Sequence, residues 1–145
     1  RHLRILSGFY GILRAFDGVV PYRLEMQARL ACEGYKNLYA FWNSLLYGEL
    51  TRDDREVLNL ASKEYSKAVE PYVKDGVRFV TCVFGTYVKG KLKVKATEAK
   101  MARGEMVRLC AENNVQSVDE VKVYNVRGYV FNEELSSETE FVFVK

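Results

Sequence analysis

Between residues 77 and 113 the sequence changes from a strand pattern to a helix pattern, and this change limits the fold more than any other feature. Val77–Phe84 is a run of β-branched and aromatic residues, which predicts a buried strand. After a turn at Lys89-Gly90, apolar residues alternate with lysines, which predicts the second strand of a hairpin. The spacing of apolar residues over Ala99–Asn113 predicts an amphipathic helix. Strands and helices in this proximity favour a mixed α/β (α+β) fold.

The remaining segments continue the same mixture. The spacing predicts a buried helix over Lys36–Leu46, a helix capped by Ser62 that ends at Val69, and a short helix opened by Ser117 with Glu120 at the capping-box position. Further strands are predicted over Val19–Leu30, Glu56–Ala61, Tyr124–Phe131 and Glu140–Val144. The chain has 145 residues, so we predict a single domain, residues 1–145, with a mixed sheet and flanking helices.

Composition excludes several classes of protein and of site. Hydrophobic residues make up 48% and charged residues 28% of the chain, which is typical of a globular protein rather than a disordered one. Charged residues interrupt every apolar run, so no transmembrane helix and no membrane partner are predicted. Cys32, Cys82 and Cys110 are widely spaced, which favours a reducing cytoplasm over a disulfide framework. Because His2 is the only histidine, a Ser-His-Asp site or a histidine zinc site is discounted, and no metal or cofactor is predicted.

Basic residues are concentrated in two blocks of the sequence. Residues 1–30 carry a net charge of +3 and residues 89–103 a net charge of +5, whereas residues 112–145 carry −4. If the fold brings the two blocks together, they form an electropositive surface suited to a polyanion. The alternative is a solvated face and a sheet edge protected by lysines.

A glycine-containing turn lies inside the first basic block. Ser7-Gly8-Phe9-Tyr10-Gly11 separates two apolar segments whose composition suggests helices, so the stretch predicts a helix-hairpin-helix element. In such an element the free N–H groups at the start of the second helix favour a phosphate, and Arg4 and Arg14 would flank it. The alternative is an ordinary turn between two secondary-structure elements.

Several ordered stretches resemble the YaaA family of bacterial peroxide-stress-resistance proteins. The resemblance begins with RHLRILSGFYGILR at residues 1–14. It continues through residues 21–26, 38–42, 59–65, 99–108 and 128–132. The family's N-terminal portion, with its Ser-Pro-Ala-Lys motif, has no counterpart here, so we expect this chain to be the C-terminal part of a longer one.

The resemblance implies a fold and a function. Members of the family are cytoplasmic proteins induced by hydrogen peroxide that lower free iron and so limit Fenton damage. Their α/β fold has a basic cleft and a helix-hairpin-helix motif associated with binding of double-stranded DNA, and no enzymatic activity is implied. The residues carried over as DNA-binding candidates are Arg4, Gly8, Tyr10, Gly11, Arg14, Arg23, Lys100, Arg103 and Arg108.

A second interpretation is an enzyme or a site for a small ligand or iron. Asn59, Ser62, Glu64 and Tyr65 fall in one of the matching stretches, and polar groups at strand ends of α/β folds often line a ligand pocket. These residues also fit a purely structural role, in a turn and a helix cap. The sequence leaves the two alternatives open.

Overall fold

A computed structural model describes residues 2–145, and Arg1 lies outside the described residues. The chain divides into two compact units. The first unit contains the described residues up to Arg55 together with Ala61–Asp75, and the second contains Glu56–Leu60 together with Gly76–Lys145. Both strands and helices are present, so the predicted mixed α/β class is confirmed.

The first unit begins with a β-hairpin rather than a helix-hairpin-helix element. Strands β1 (Arg4–Ser7) and β2 (Gly11–Arg14) pair antiparallel, and the turn between them contains Gly8, Phe9 and Tyr10. The prediction of two helices around this turn is therefore wrong. Each arm contains an Ile-Leu pair, and the β-branched isoleucine favours strand pairing over a helix.

The predicted strand over Val19–Leu30 is also wrong, because these residues form no ladder in the described chain. Pro21 lacks the N–H group that a ladder requires. The chain then turns at Met26, where the Ala28 N–H donates to the Glu25 carbonyl at 3.0 Å. Met26 is completely buried, so this segment packs on the unit through a single buried apolar side chain and not through the alternating apolar face of a strand.

Short helices complete the first unit. The predicted helix over Lys36–Leu46 is divided into α1 (Leu38–Trp42) and α2 (Leu45–Leu50), because Asn43 between them has a positive φ of 47°. Ser62 precedes α3 (Lys63–Ser66) as predicted, although its side chain makes no capping hydrogen bond. A 3₁₀ helix, Glu70–Tyr72, follows α3.

The second unit contains a mixed sheet covered by one long helix. Its elements are β3 (Glu56–Asn59), β4 (Arg78–Val88), β5 (Lys91–Lys93), α4 (Ala96–Glu112), a 3₁₀ helix (Val118–Val123), β6 (Asn125–Val126), β7 (Tyr129–Asn132) and β8 (Glu140–Val144). The strand order is β3-β4-β8-β7-β6, with β5 paired to β4. β3 and β8 lie parallel to β4, whereas β5 is antiparallel to β4 and β7 to β8.

Alternation along the central strands forms the core of the second unit. Val80, Cys82 and Phe84 of β4 are buried, as are Phe141 and Phe143 of β8. α4 covers them with Ala99, Ala102 and Met106. The predicted strand over Tyr124–Phe131 is instead a hairpin, since Arg127 and Gly128 both have positive φ in the turn between β6 and β7. The predicted capping box of Ser117 and Glu120 is confirmed.

Candidate functional site

The turn between β1 and β2 directs its N–H groups inward. Ser7 is buried, and its Oγ accepts hydrogen bonds from the N–H groups of Phe9 at 3.2 Å and Tyr10 at 2.9 Å. The same oxygen is hydrogen-bonded to the Tyr22 hydroxyl. These turn N–H groups are paired within the protein, and a strand rather than a second helix follows them, so the turn does not offer the phosphate site of a helix-hairpin-helix element.

The two glycines of this turn are sites of close packing. A Cβ at Gly8 would lie 2.7 Å from the Leu24 carbonyl oxygen, and a Cβ at Gly11 would lie 2.8 Å from the ring of Trp42. The indole N–H of Trp42 donates to the Gly8 carbonyl at 3.0 Å. Both glycines are buried, and a role for them in DNA binding stays a prediction.

Three aromatic rings stand together at the tip of the hairpin. The ring of Phe9 lies 4.9 Å from that of Tyr10 and 5.4 Å from that of Tyr22. The Tyr10 hydroxyl accepts a hydrogen bond from the Val20 N–H at 3.0 Å. Tyr10 therefore fixes the segment that follows the hairpin, and its predicted contact with DNA remains untested.

The other end of the hairpin carries two arginines. Arg4 and Arg14 are register partners, so their Cβ atoms stand about 5 Å apart on one face. Arg14 is exposed, whereas Arg4 is half-buried and donates to the Leu3 carbonyl at 3.3 Å. Arg23, the third predicted arginine of this unit, is exposed and lies 3.6 Å from a Glu25 oxygen. The sequence predicted these arginines, but not the pairing of Arg4 with Arg14.

The other three basic candidates lie on α4 in the second unit. Lys100 is exposed. Arg103 is half-buried, donates to the Ala99 carbonyl at 3.2 Å, and has its pKa lowered by burial. Arg108 forms ion pairs with Glu105 at 3.2 Å and Glu112 at 3.8 Å. Lys100 is thus the one of the three whose charge is not engaged by a neighbouring protein group among the described residues.

The residues of the alternative ligand site fall in different units. Asn59 belongs to the second unit, where it is buried and its amide donates to Thr81 Oγ1 at 3.0 Å. Ser62, Glu64 and Tyr65 belong to the first unit. Asn59 therefore has a structural partner of its own within the second unit.

Glu64 lies in a polar cluster that sequence reasoning did not predict. Its Oε1 accepts from the Gln27 N–H at 3.3 Å, and its carbonyl accepts from the Tyr39 hydroxyl at 2.9 Å. Burial raises the pKa of both Tyr39 and Tyr65, and the nearby Glu64 charge raises both further. Both phenols stay protonated at neutral pH, and because the Tyr39 hydroxyl already donates to the Glu64 carbonyl, the cluster offers the Tyr65 hydroxyl and the Glu64 carboxylate.

A shallow groove of about 620 Å³ lies on the same unit, beside the hairpin. Tyr10, Ile12, Trp42 and Leu46 contribute apolar surface to it, and the Glu49–Arg52 ion pair lies at its edge. Ser44, which lies at the break between α1 and α2, also lines this groove, and the prediction of one continuous helix did not indicate it.

Two further features bear on function. Within residues 2–145 no three His, Cys, Asp or Glu side chains are grouped so that they could hold a metal ion. No helix in that part of the chain has both the length and the apolar character needed to cross a bilayer.

Comparison with known proteins gives a consistent result. The family described as "Peroxide stress protein YaaA" matches residues 1–135. A UPF0246 protein of Pediococcus pentosaceus is 54% identical over 144 residues, covering 99% of this chain and 57% of its own length. A UPF0246 protein of Limosilactobacillus reuteri is 54% identical over 142 residues, covering 98% and 57%. A UPF0246 protein of Desulfitobacterium hafniense is 52% identical over 145 residues, covering 100% and 58%. The chain thus spans rather more than half the length of these relatives.

Proposed function

The chain belongs to the peroxide stress protein YaaA family, and on that premise we propose that it binds double-stranded DNA through phosphate contacts, independently of sequence. The observation that carries this proposal is the pairing of Arg4 with Arg14 across the first hairpin. We further propose that it acts in the cytoplasm during peroxide stress, where it limits free iron and Fenton damage.

Two like charges directly opposite each other destabilise a hairpin. A phosphate group placed near both guanidinium groups removes that repulsion, and arginine is well suited to hold it because its N–H groups match two phosphate oxygens. Because of the same repulsion, the pair is expected to favour an anionic partner over a neutral one. Lys100 provides an additional charge in the second unit.

The direct test is the fluorescence anisotropy of a labelled duplex titrated with the chain at several salt concentrations. Each phosphate contact contributes about 0.9 to the slope of log K against log salt. R14Q is expected to reduce that slope by about one and to weaken binding to all sequences equally.

Arg29 provides a matched control, because it is an exposed arginine of the same unit and has no carboxylate partner among residues 2–145. R29Q is expected to leave the slope within about half a unit of the wild-type value, since it removes the same charge without a phosphate contact. Equal effects of R14Q and R29Q would remove the paired arginines from the proposal. Absence of binding by the folded chain at low salt would contradict the DNA function itself.

The cellular part of the proposal has a separate test. Free iron in peroxide-treated cells can be measured by electron paramagnetic resonance after chelation. Cells that produce the chain are expected to contain less free iron than cells that produce no family protein. Equal free iron in the two strains would contradict the iron proposal and would leave the DNA-binding proposal standing.

A second candidate function is a small-ligand, enzymatic or iron site at Glu64 and Tyr65. The observation that favours it is the polar cluster around Glu64, with the Gln27 N–H and the Tyr39 hydroxyl beside it. E64Q keeps an acceptor for Gln27 but removes the charge. Titration with ferrous and ferric ions, and a thermal-shift screen of small polar ligands, should show a response in the wild type that E64Q lacks. DNA binding should be the same in both.

A further inference from the structure

The end of β4 leaves the sheet and forms a two-stranded ribbon with β5. β4 pairs with β3 over Arg78–Thr81 and with β8 over Thr81–Gly85. Its last residues, Thr86–Val88, pair only with Lys91–Lys93. The two-residue turn Lys89-Gly90 connects the strands, with φ values of 52° and 74°. We call residues 86–95 the lysine ribbon.

The basic residues of the second unit differ in whether a carboxylate pairs with them. Arg78, Arg108, Lys122 and Lys145 each form an ion pair with a carboxylate. The lysines of the ribbon are exposed, and none of them forms an ion pair with any described acidic residue. They are Lys89, Lys91, Lys93 and Lys95. Four positive charges of this unit are therefore paired with carboxylates, whereas the charges of the ribbon are left available, as is that of Lys100 on α4.

The pairing register puts Lys91 and Lys93 on one face of the ribbon, together with Val88, and Leu92 on the other. Lys91 lies opposite Val88 and Lys93 opposite Thr86, which places both lysines on one face. Leu92 projects from the other face and packs on Gly85, where a Cβ would stand 2.6 Å from a Leu92 methyl carbon. Leu92 thus anchors the ribbon to the sheet, and the lysine face stays exposed.

We propose that the lysine ribbon is the element that enters the major groove of double-stranded DNA, a proposal that rests on the DNA-binding function proposed above. The major groove admits a two-stranded β-ribbon, which is the shape found here. Lys91 and Lys93 are separated by two strand residues, about 6.8 Å, which equals two phosphate steps of about 3.4 Å along the duplex axis. Leu92 is held against Gly85, and four exposed lysines of the ribbon outnumber its two exposed apolar side chains, Tyr87 and Val94, which favours DNA over insertion into an anionic membrane.

The test compares two variants that lose the same charge. The ribbon variant is K89Q/K91Q/K93Q/K95Q. The control is R29Q/K36Q/R55Q/K74Q, which changes four exposed basic residues of the first unit that have no carboxylate partner among residues 2–145. Circular dichroism confirms that each variant is folded, and duplex binding is measured by anisotropy over a salt series.

The ribbon variant is expected to lose about three units of the salt slope and at least tenfold in affinity at low salt, and the control less than one unit. Methyl green, which occupies the major groove, should compete with the wild type, whereas the minor-groove ligand netropsin should not. Equal losses in both variants, or competition by netropsin alone, would overturn the ribbon assignment.

Two further outcomes separate this inference from the proposal on which it rests. If the wild type binds duplex and the ribbon variant binds equally well, the ribbon assignment fails and the DNA function stands. If the folded wild type binds no duplex, both fail. Ribbon-dependent binding to phosphatidylserine vesicles without binding to duplex would identify a membrane as the partner and overturn the assignment to DNA.

Discussion

Gly8 lies so close to Leu24 that a Cβ at position 8 would stand 2.7 Å from the Leu24 carbonyl oxygen. The next nearest atoms, from Glu25 and Met26, also belong to the backbone. Backbone atoms cannot rotate away as a side-chain tip can, and Met26 is completely buried at this point. Gly8 is therefore what allows the irregular segment after β2 to dock against the first hairpin.

G8A is expected to destabilise the chain by about 2 to 3 kcal/mol, because the added methyl group overpacks a backbone contact. The measurement is the free energy of unfolding in urea. Gly104 supplies the control, since it lies within α4 and a Cβ there would meet nothing within 4 Å. G104A should stabilise the chain by about 1 kcal/mol, the difference between glycine and alanine in a helix. If G8A has the same free energy of unfolding as the wild type, the backbone around Leu24 accommodates the added methyl group and the prediction is wrong.

Sequence patterns predicted the second unit well because most of its strands and helices are determined by residues within the same short segment. Alternation of Val80, Cys82 and Phe84 determines which side of β4 is buried, and the Ser117 capping box acts over three residues. The boundaries of β8, Glu140–Val144, agree with the prediction. In each case the residues that determine the element lie within it.

The first unit was predicted less well because its contacts join distant parts of the chain. The four-residue arms of the first hairpin show no period that separates strand from helix, so their pairing alone determines the structure. The alternation around Met26 suggests a strand, yet the segment docks on Gly8 through close backbone packing. The residues around Glu64 come from positions 27 and 39, which no local motif connects.

The second-unit cysteines give a prediction about chemical reactivity. Burial raises the pKa of Cys82 to about 12, and burial also raises that of Cys110. Because the thiolate is the form that reacts with peroxide and alkylating agents, both thiols should react slowly at neutral pH. In the folded chain, Cys82 should resist iodoacetamide and hydrogen peroxide, as measured by mass spectrometry of peptides. Denaturant should make it react fully, and rapid oxidation of Cys82 in the native chain would contradict the structure.

The ion pairs of Arg78 predict how the stability of the chain changes in acid. It forms ion pairs with Asp119 at 2.6 Å and Glu56 at 3.1 Å. Hydrogen bonds from Arg78 and Lys122 lower the pKa of Asp119. Partial burial pushes the pKa of Glu56 upward, but the Val118 N–H and Arg78 outweigh it, so the net pKa is lowered.

Both carboxylates bind protons more weakly in the folded than in the unfolded chain. Their stabilising effect is therefore fully present above about pH 5 and is lost as pH falls through the lowered pKa values. R78Q should be less stable than the wild type at neutral pH, and the difference should shrink below about pH 4. Urea unfolding midpoints over this pH range provide the measurement. R55Q, which changes an exposed arginine without a carboxylate partner in residues 2–145, should show the wild-type pH dependence. A constant difference between R78Q and the wild type would contradict the assignment.

Lys89 occupies a backbone conformation that asparagine adopts more readily. With φ positive at both Lys89 and Gly90, the turn has the form favoured by an Asn-Gly pair in two-residue hairpins. K89N is therefore expected to raise the free energy of unfolding by about 1 kcal/mol, since lysine is strained in the left-handed region. K91N makes the same chemical change within β5, where asparagine is disfavoured, and should not stabilise the chain.

If the lysine ribbon binds phosphates, K89N should also reduce the salt slope of DNA binding by about one unit while the chain becomes more stable. Equal stability changes in K89N and K91N would show that the turn conformation contributes nothing, and the change in DNA binding would then report charge alone.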